Sequence, residues 1–488
     1  MRRSIRAEHP FFAVLVLTGA IPVFAVAPPA RAQPAPRSAS AERPPKPNVV
    51  LVMLDDLVAG QLEYMPLTKG FFRANGVSFT HAYATTPLCS PARAGLLTGL
   101  YAHNHGIRYN ENRGRFGDGG AVDFTRRGLD RSTLATWLSD AGYVTSLVGK
   151  YINRYDEVEP PGYVPPGWSD WHALYGMGDT PYVDYVLAEN GALVRYSGSD
   201  SVYETDVLRE KALDFVRSVR TPFFLLFAPS APHSPATPAP RHADLIGANA
   251  PRNENYAEPD VSDKPRWIRE QTWPGWREDL TDRLHRDASL CLAAADEAIA
   301  ALADQLALDG RLANTLFIVM SDNGQQYGAH RWDDKRCYYE ETARVPLLVA
   351  YPPLVKGARE DDTLLAHIDV AGTICEATGA KPTSRTNFRS FLGVLGGGAG
   401  AVPIRPAVYS EGWAFPNLDC DAPYYVCGAP TFRMVVNQRW KYVVLSYGER
   451  ELYDLRNDPL ELENRIAEPG HDELIHDLTK ILDGESRE

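Results

Sequence analysis

The chain has 488 residues, with 62 acidic side chains against 50 Lys and Arg, and a formal net charge of -12. Such a surface excludes nucleic acid as a partner, because phosphate contacts need a basic face. It leaves room for an anionic substrate in a locally basic pocket, and the length suits one large α/β domain with a smaller one attached.

Arg2, Arg3 and Arg6 precede an apolar stretch from Phe11 to Ala27, and Ala30-Arg31-Ala32 has the form of a cleavage site. Residues 1–32 therefore read as an export signal, and residues 33–46, rich in Pro and Ala, as a linker. A secreted or periplasmic protein is expected, with no stable membrane span once the signal is removed. There are six cysteines, and an oxidising compartment favours pairing. Cys420 and Cys427 share one loop and are expected to close on each other. Cys291 and Cys375 sit in apolar segments and read as core. No C-x-x-C pair occurs, so nothing here resembles a zinc framework.

Asn48-Val49-Val50-Leu51-Val52-Met53-Leu54 is a continuous apolar run, the pattern of a buried parallel strand. It ends in Asp55-Asp56. Open α/β sheets bind ligands at the C-terminal ends of their strands, and two buried acids need a cation or donors to meet them. Val77 to Ala84 alternates like a strand and leads into Pro87-Leu88-Cys89-Ser90-Pro91-Ala92-Arg93. Pro91 predicts a helix start, with Cys89 just ahead of the N-terminus and Arg93 about one turn in. His103 and His105 lie in a predicted loop and face opposite ways if extended, which argues against a joint metal site.

Ser132–Ala141 reads as a helix and Tyr143–Val148 as a strand running into Gly149-Lys150, a β-α-β rhythm that implies a parallel sheet. Residues 153–201 lack periodicity and read as an irregular excursion over the site. Tyr203–Arg217 is a predicted helix. Thr221–Ala228 is a third buried strand, running into Pro232-His233. Residues 236–280 form a second long insertion, followed by an amphipathic helix over Arg283–Leu306. Thr315–Met320 is a fourth buried strand and ends in Ser321-Asp322-Asn323-Gly324. Lys335 lies in the next loop, and Val345–Ala350 is a fifth strand. Beyond a Gly-rich boundary near residue 400, three short strands and a final helix over Asp472–Leu482 predict an antiparallel subdomain.

The chemistry gathers at strand ends. Asp55, Asp56, Asp322 and Asn323 offer oxygen donors suited to a hard cation, calcium or magnesium. Arg93, Lys150, His233 and Lys335 suit a tetrahedral oxyanion. Together they describe an enzyme that moves a phosphoryl or sulfuryl group by metal-assisted displacement.

Cys89-Ser90-Pro91-Ala92-Arg93 followed by Leu-Thr-Gly, with Asp55-Asp56, Gly149-Lys150, Pro232-His233, Asp322-Asn323-Gly324 and Lys335…Tyr339-Glu340, resembles the type I sulfatases of the alkaline phosphatase superfamily. Glu451-Leu452-Tyr453-Asp454-Leu455 near the C-terminus also matches, so the resemblance covers the chain from residue 47 on. It implies an alkaline-phosphatase-like α/β fold: a mixed, mostly parallel sheet flanked by helices over residues 47–400, and an antiparallel sheet subdomain over 401–488. It also implies that a maturation enzyme converts Cys89 to formylglycine. Asp55, Asp56, Cys89, Asp322 and Asn323 would hold calcium, with magnesium as the other candidate. Arg93 would steady the nucleophile, Lys150 and Lys335 would neutralise sulfate oxygens, and His233 would protonate the leaving alcohol.

One departure stands out. Where many sulfatases have Lys-Trp-His, this chain has Lys150-Tyr151-Ile152-Asn153, so Asn153 is expected to replace the missing histidine in part and to join Lys150, His233 and Lys335 in binding the substrate. With Val164–Trp168, Val261–Pro265 and Asp334-Lys335-Arg336, the pattern resembles the N-acetylglucosamine-6-sulfatase branch. Two other readings stay open at this level: a formylglycine-dependent phosphodiester or phosphonate monoester hydrolase, and a non-catalytic binder of sulfated glycans.

Overall fold

The computed structural model describes residues 45–112, 119–176, 182–198, 202–245, 251–397, 404–414 and 428–486. The expected export signal, most of the expected linker and the expected Cys420–Cys427 pairing lie outside them. No helix among the described residues is long and apolar enough to cross a membrane.

A ten-stranded sheet carries the molecule. Its spatial order is Arg359–Asp361, Val77–Phe79, Leu347–Ala350, Thr315–Ser321, Asn48–Leu54, Phe223–Ala228, Val144–Gly149, Asp170–Leu174, Tyr185–Glu189 and Ala192–Tyr196. The five from Thr315–Ser321 to Asp170–Leu174 run parallel. The apolar run at residues 48–54 is explained by layers on both faces. Val49, Leu51 and Met53 join one core, with the helices Cys89–Thr98, Leu134–Asp140 and Asp369–Thr378. Val50, Val52 and Leu54 join the other, with Glu204–Ser218 and Gly275–Leu308. A strand covered on both sides has no polar face to show, so it cannot alternate. A separate four-stranded antiparallel sheet is built from Val408–Gly412, Phe432–Val436, Trp440–Leu445 and Arg450–Asp454.

Several expectations need correction. The helix at the Cys89 heptad starts at Cys89, not at Pro91, because Leu88 takes the extended N-cap conformation and its carbonyl accepts from Ala92 N–H. Pro91 then lies in the first turn, where its missing N–H costs nothing. Val77 to Ala84 is two strands in different sheets. Ala102–His105 is a helical turn. The excursion over residues 153–201 contains three strands that widen the main sheet. Two of these form a hairpin through Asn190-Gly191, both at positive φ. Asn-Gly is the strongest local hairpin signal, and the aromatic, Pro-rich surroundings masked it. The amphipathic helix begins eight residues before Arg283, at Gly275. A fourth C-terminal strand, Val408–Gly412, pairs with Phe432–Val436.

The C-terminal Glu-Leu-Tyr-Asp-Leu motif has a structural reason. Glu451 is fully buried and accepts hydrogen bonds from Tyr339 (3.0 Å) and Tyr453 (2.5 Å). Lys441, also buried, pairs with Glu340 at 2.8 Å and Glu461 at 2.7 Å. The motif therefore ties the small sheet to the segment that follows Lys335.

Candidate active site

The parallel strands deliver their acids to one edge. Asp55 follows Leu54, and its N–H donates to Ala231 O at 3.2 Å, placing it beside the Pro232-His233 segment. Asp56 takes a left-handed conformation (φ 73°), which Asp tolerates, and its N–H donates to Asp322 Oδ1 at 3.2 Å. Gly149 is required as it stands: its φ is 119°, and a Cβ there would lie 2.0 Å from Ala228 O. That close approach lets Lys150 N–H donate to Ala228 O at 2.7 Å and turns the lysine into the site.

Cys89 sits at the centre, fully buried. Its Sγ lies 2.9 Å from Lys335 Nζ, 3.5 Å from Asp55 Oδ1 and 4.0 Å from Asp56 Oδ1. Lys335 also reaches Asp56 Oδ1 at 2.7 Å, and Lys150 reaches Asp55 Oδ2 at 2.5 Å. Arg93 donates from Nε to Asp322 Oδ2 (2.8 Å) and from Nη1 to Lys150 O (2.9 Å). His233 Nε2 is 3.6 Å from Asp56 Oδ2, while its Nδ1 donates to Ser234 O at 2.5 Å. Asn323 donates to Asp56 Oδ1 at 2.6 Å.

Burial and charge compete here. Burial acts to raise the Asp55 carboxyl, but Lys150, His233, Arg93 and Lys335 outweigh it and hold Asp55 well below the usual carboxylate range. Asp322 is pushed up by burial, against Arg93, to about 6. Burial drives the Cys89 thiol up to about 12, so the unmodified side chain is a neutral thiol at neutral pH. Burial lowers His233, against the pull of Asp55.

The expected residues Asp55, Asp56, Cys89, Arg93, Lys150, His233, Asp322, Asn323 and Lys335 thus meet at one place. Oxygen, sulfur and nitrogen atoms of Asp55, Asp56, Cys89 and His233 lie within 4.8 Å of one another. A hard cation fits the donor set, because Asn323 Oδ1 is buried with no hydrogen-bond partner among the described residues. Asn153 stands one residue away from the nucleophile position: its Oδ1 accepts from Ser90 Oγ at 3.0 Å and its N–H donates back at 3.2 Å. It braces the start of the helix rather than Cys89 itself. His103 pairs with Glu411 at 2.8 Å, away from the acids. His105 is buried, accepts from Ile107 N–H, and is held neutral by burial at about 3.

Two further residues, Asn110 and His367, hold the Cys89 turn. Asn110 Oδ1 accepts from Ser90 N–H at 2.9 Å, satisfying a free donor of the helix's first turn. Buried His367 accepts from Thr85 N–H at Nδ1 (3.0 Å) and donates from Nε2 to Ala92 O (2.8 Å), clamping both ends of the Cys89 turn. Neither has a local sequence signal, since both act across long loops.

Glu204 lies beside this edge, fully buried, with Ser230 N–H donating to its Oε1 at 2.9 Å. Burial raises its carboxyl to about 7 from 4.5. The folded protein then holds a proton that the unfolded chain has lost between these values, so stability falls as pH rises from 4.5 to 7. Glu204→Gln removes that dependence. Relative to wild type it should gain up to about 3 kcal/mol between pH 4.5 and 7.5, read from denaturant unfolding at several pH values.

A family model described as Sulfatase matches residues 47–380, and one described as N-sulphoglucosamine sulphohydrolase, C-terminal, matches residues 328–488. The N-acetylglucosamine-6-sulfatase of Homo sapiens is 30% identical over 517 residues, covering 99% of this chain and 87% of the relative. The extracellular sulfatase SULF-1 homolog of Drosophila melanogaster is 30% identical over 74% of this chain, but the chain spans only 32% of that relative's length. Among solved structures, an enzyme in complex with its substrate D-glucosamine-2-N,6-O-disulfate superposes with a TM-score of 0.75 at 23% identity, over 91% of this chain and 98% of that one. The fold, the strand-end acids and these matches agree: the chain belongs to the sulfatase family, the sulfuric ester hydrolases of the alkaline phosphatase-like superfamily.

Proposed function

We propose that this protein is an exported sulfatase that hydrolyses a sugar sulfate ester (R–O–SO3− + H2O → R–OH + HSO4−), with Cys89 matured to formylglycine and calcium at the acidic strand ends. The observation that carries this reading is the environment of Cys89 Sγ: Lys335, Asp55 and Asp56 meet at one buried atom, Lys150 pairs with that same Asp55, and the amide oxygen of Asn323 has no hydrogen-bond partner among the described residues. A neutral thiol is a poor nucleophile and a poor ligand for an oxygen-seeking cation. A hydrated formyl group supplies a hydroxyl nucleophile in its place. Asp55, Asp56, Asp322 and Asn323 would hold the cation, which supplies Lewis acidity toward the sulfate and the nucleophile.

The chain's own residues do the rest. Lys150 and Lys335 present ammonium groups for the sulfate oxygens, and both are held charged by the neighbouring carboxylates. Arg93 fixes Asp322 and the Lys150 backbone, keeping the edge in register. His233 has its Nδ1 proton committed to Ser234 O, so the proton that it passes to the leaving oxygen is the second one of its imidazolium form, carried on Nε2, and Asp56 Oδ2 at 3.6 Å favours that charged form. The relatives' names support a glucosamine-type 6-sulfate as substrate, and the leader with the extracellular relative supports export. Residues 47–400 would form the catalytic domain and 401–488 the smaller one.

The test is a pair of assays on a sulfate monoester and a phosphodiester of the same aryl alcohol, followed by release of sulfate from N-acetylglucosamine 6-sulfate. Faster phosphodiester turnover would instead assign a phosphodiester or phosphonate hydrolase. Binding without turnover in calcium-replete buffer would assign a sulfated-glycan binder. Chelation should abolish turnover and lower the melting temperature, with calcium restoring both. Unchanged activity after exhaustive chelation would remove the cation.

A further inference from the structure

We propose that Tyr182, Tyr203 and Glu204 form a brace that positions His233 for proton transfer to the leaving alcohol. The inference rests on the sulfatase reading above. The segment that carries His233 follows the strand Phe223–Ala228 and belongs to no helix or strand, so its backbone groups must find partners elsewhere. Three come from one short region of the chain. Glu204 Oε1 accepts from Ser230 N–H at 2.9 Å. The Tyr182 hydroxyl donates to the His233 carbonyl at 2.8 Å. The Tyr203 hydroxyl donates to the Thr237 carbonyl at 3.0 Å.

The brace is itself locked. Glu204 N–H donates to the Tyr182 carbonyl at 2.8 Å, and the two tyrosine rings stack with centroids 5.7 Å apart. All three side chains are buried. On the opposite side, Ala231 O accepts from Asp55 N–H. The His233 loop is therefore clamped between the metal-side acid and the brace. Its imidazole is held by its own loop, through Nδ1 and Ser234 O. Whatever moves the loop backbone moves Nε2. Tyr182 leads into the sheet-edge hairpin and Tyr203-Glu204 follow it, which gives that hairpin a role at the site.

The experiment compares 4-nitrophenyl sulfate, whose leaving group needs no acid, with N-acetylglucosamine 6-sulfate, whose leaving group does. Tyr182→Phe and Glu204→Leu should lower kcat on the sugar sulfate by about 10-fold or more, parallel to His233→Ala, with KM and nitrophenyl turnover within about threefold of wild type. Glu204→Gln should keep wild-type selectivity, because the amide oxygen still accepts from Ser230 N–H. Equal losses on both substrates, no loss from Tyr182→Phe, or a Glu204→Gln variant as impaired as Glu204→Leu would each overturn the brace. Tyr182→Phe removes only a hydroxyl and keeps the test valid if Glu204→Leu does not fold. A wild-type protein that releases sulfate from neither substrate would overturn the sulfatase reading, and this inference with it.

Discussion

Cys89→Ala is expected to abolish sulfate release, by at least about 10^4-fold, while leaving the protein folded. The Sγ occupies a small, fully enclosed space between Lys335 and Asp55. Losing one buried atom costs about 1 kcal/mol, far less than the fold's cohesion. The melting temperature should therefore shift little while turnover disappears. The complementary measurement is peptide mass spectrometry of the active wild-type protein. The Cys89 peptide should be lighter than the encoded sequence by about 18 Da, the change from thiol to aldehyde. Activity retained by the alanine variant, or an intact thiol in active protein, would overturn the assignment of the nucleophile.

Arg93→Ala should have the largest effect on stability. The guanidinium is buried, with Asp322 at 2.8 Å, the Lys150 carbonyl at 2.9 Å and Asp55 at 3.6 Å. Removing it leaves two buried carboxylates short of a counter-charge and one carbonyl without a donor. Breaking a buried pair from one side costs about 3–5 kcal/mol. Turnover should fall with it, since Asp322 and the Lys150 backbone both lose their anchor. Arg93→Lys keeps the charge but cannot make two directed N–H bonds at once, so it should recover part of the stability and little of the activity. A wild-type melting temperature for Arg93→Ala would show that Lys150 and Lys335 alone balance the acids.

The strand-end acids were legible because their strands are buried on both faces. Val49 to Leu54 and Leu316 to Met320 have nowhere to put a polar residue until the sheet ends, so each acid marks the edge of the sheet. The Asn190-Gly191 hairpin was also written locally, but neighbouring aromatics and prolines hid the period. The helix start at Cys89 was misplaced by two residues, because Pro91 is tolerated anywhere in the first turn. His367, Asn110 and the Tyr182–Glu204 brace could not be read at all. Each acts on a backbone group brought near by the fold, and nothing in its own neighbourhood encodes that partner.

The sequence by itself therefore determined the parallel core, the sulfatase motifs and the set of charged residues at the strand ends. Periodicity and local motifs depend on nearest neighbours along the chain, and those features are of that kind. The tertiary structure decided the rest: that Lys335 reaches Asp56 while Lys150 reaches Asp55, the two acids beside Cys89 Sγ, that Asn153 braces Ser90, and that the side-chain amide oxygen of Asn323 has no hydrogen-bond partner among the described residues. Those facts depend on loops separated by tens to hundreds of residues converging on one edge, and only packing of the two cores around the sheet sets where they meet.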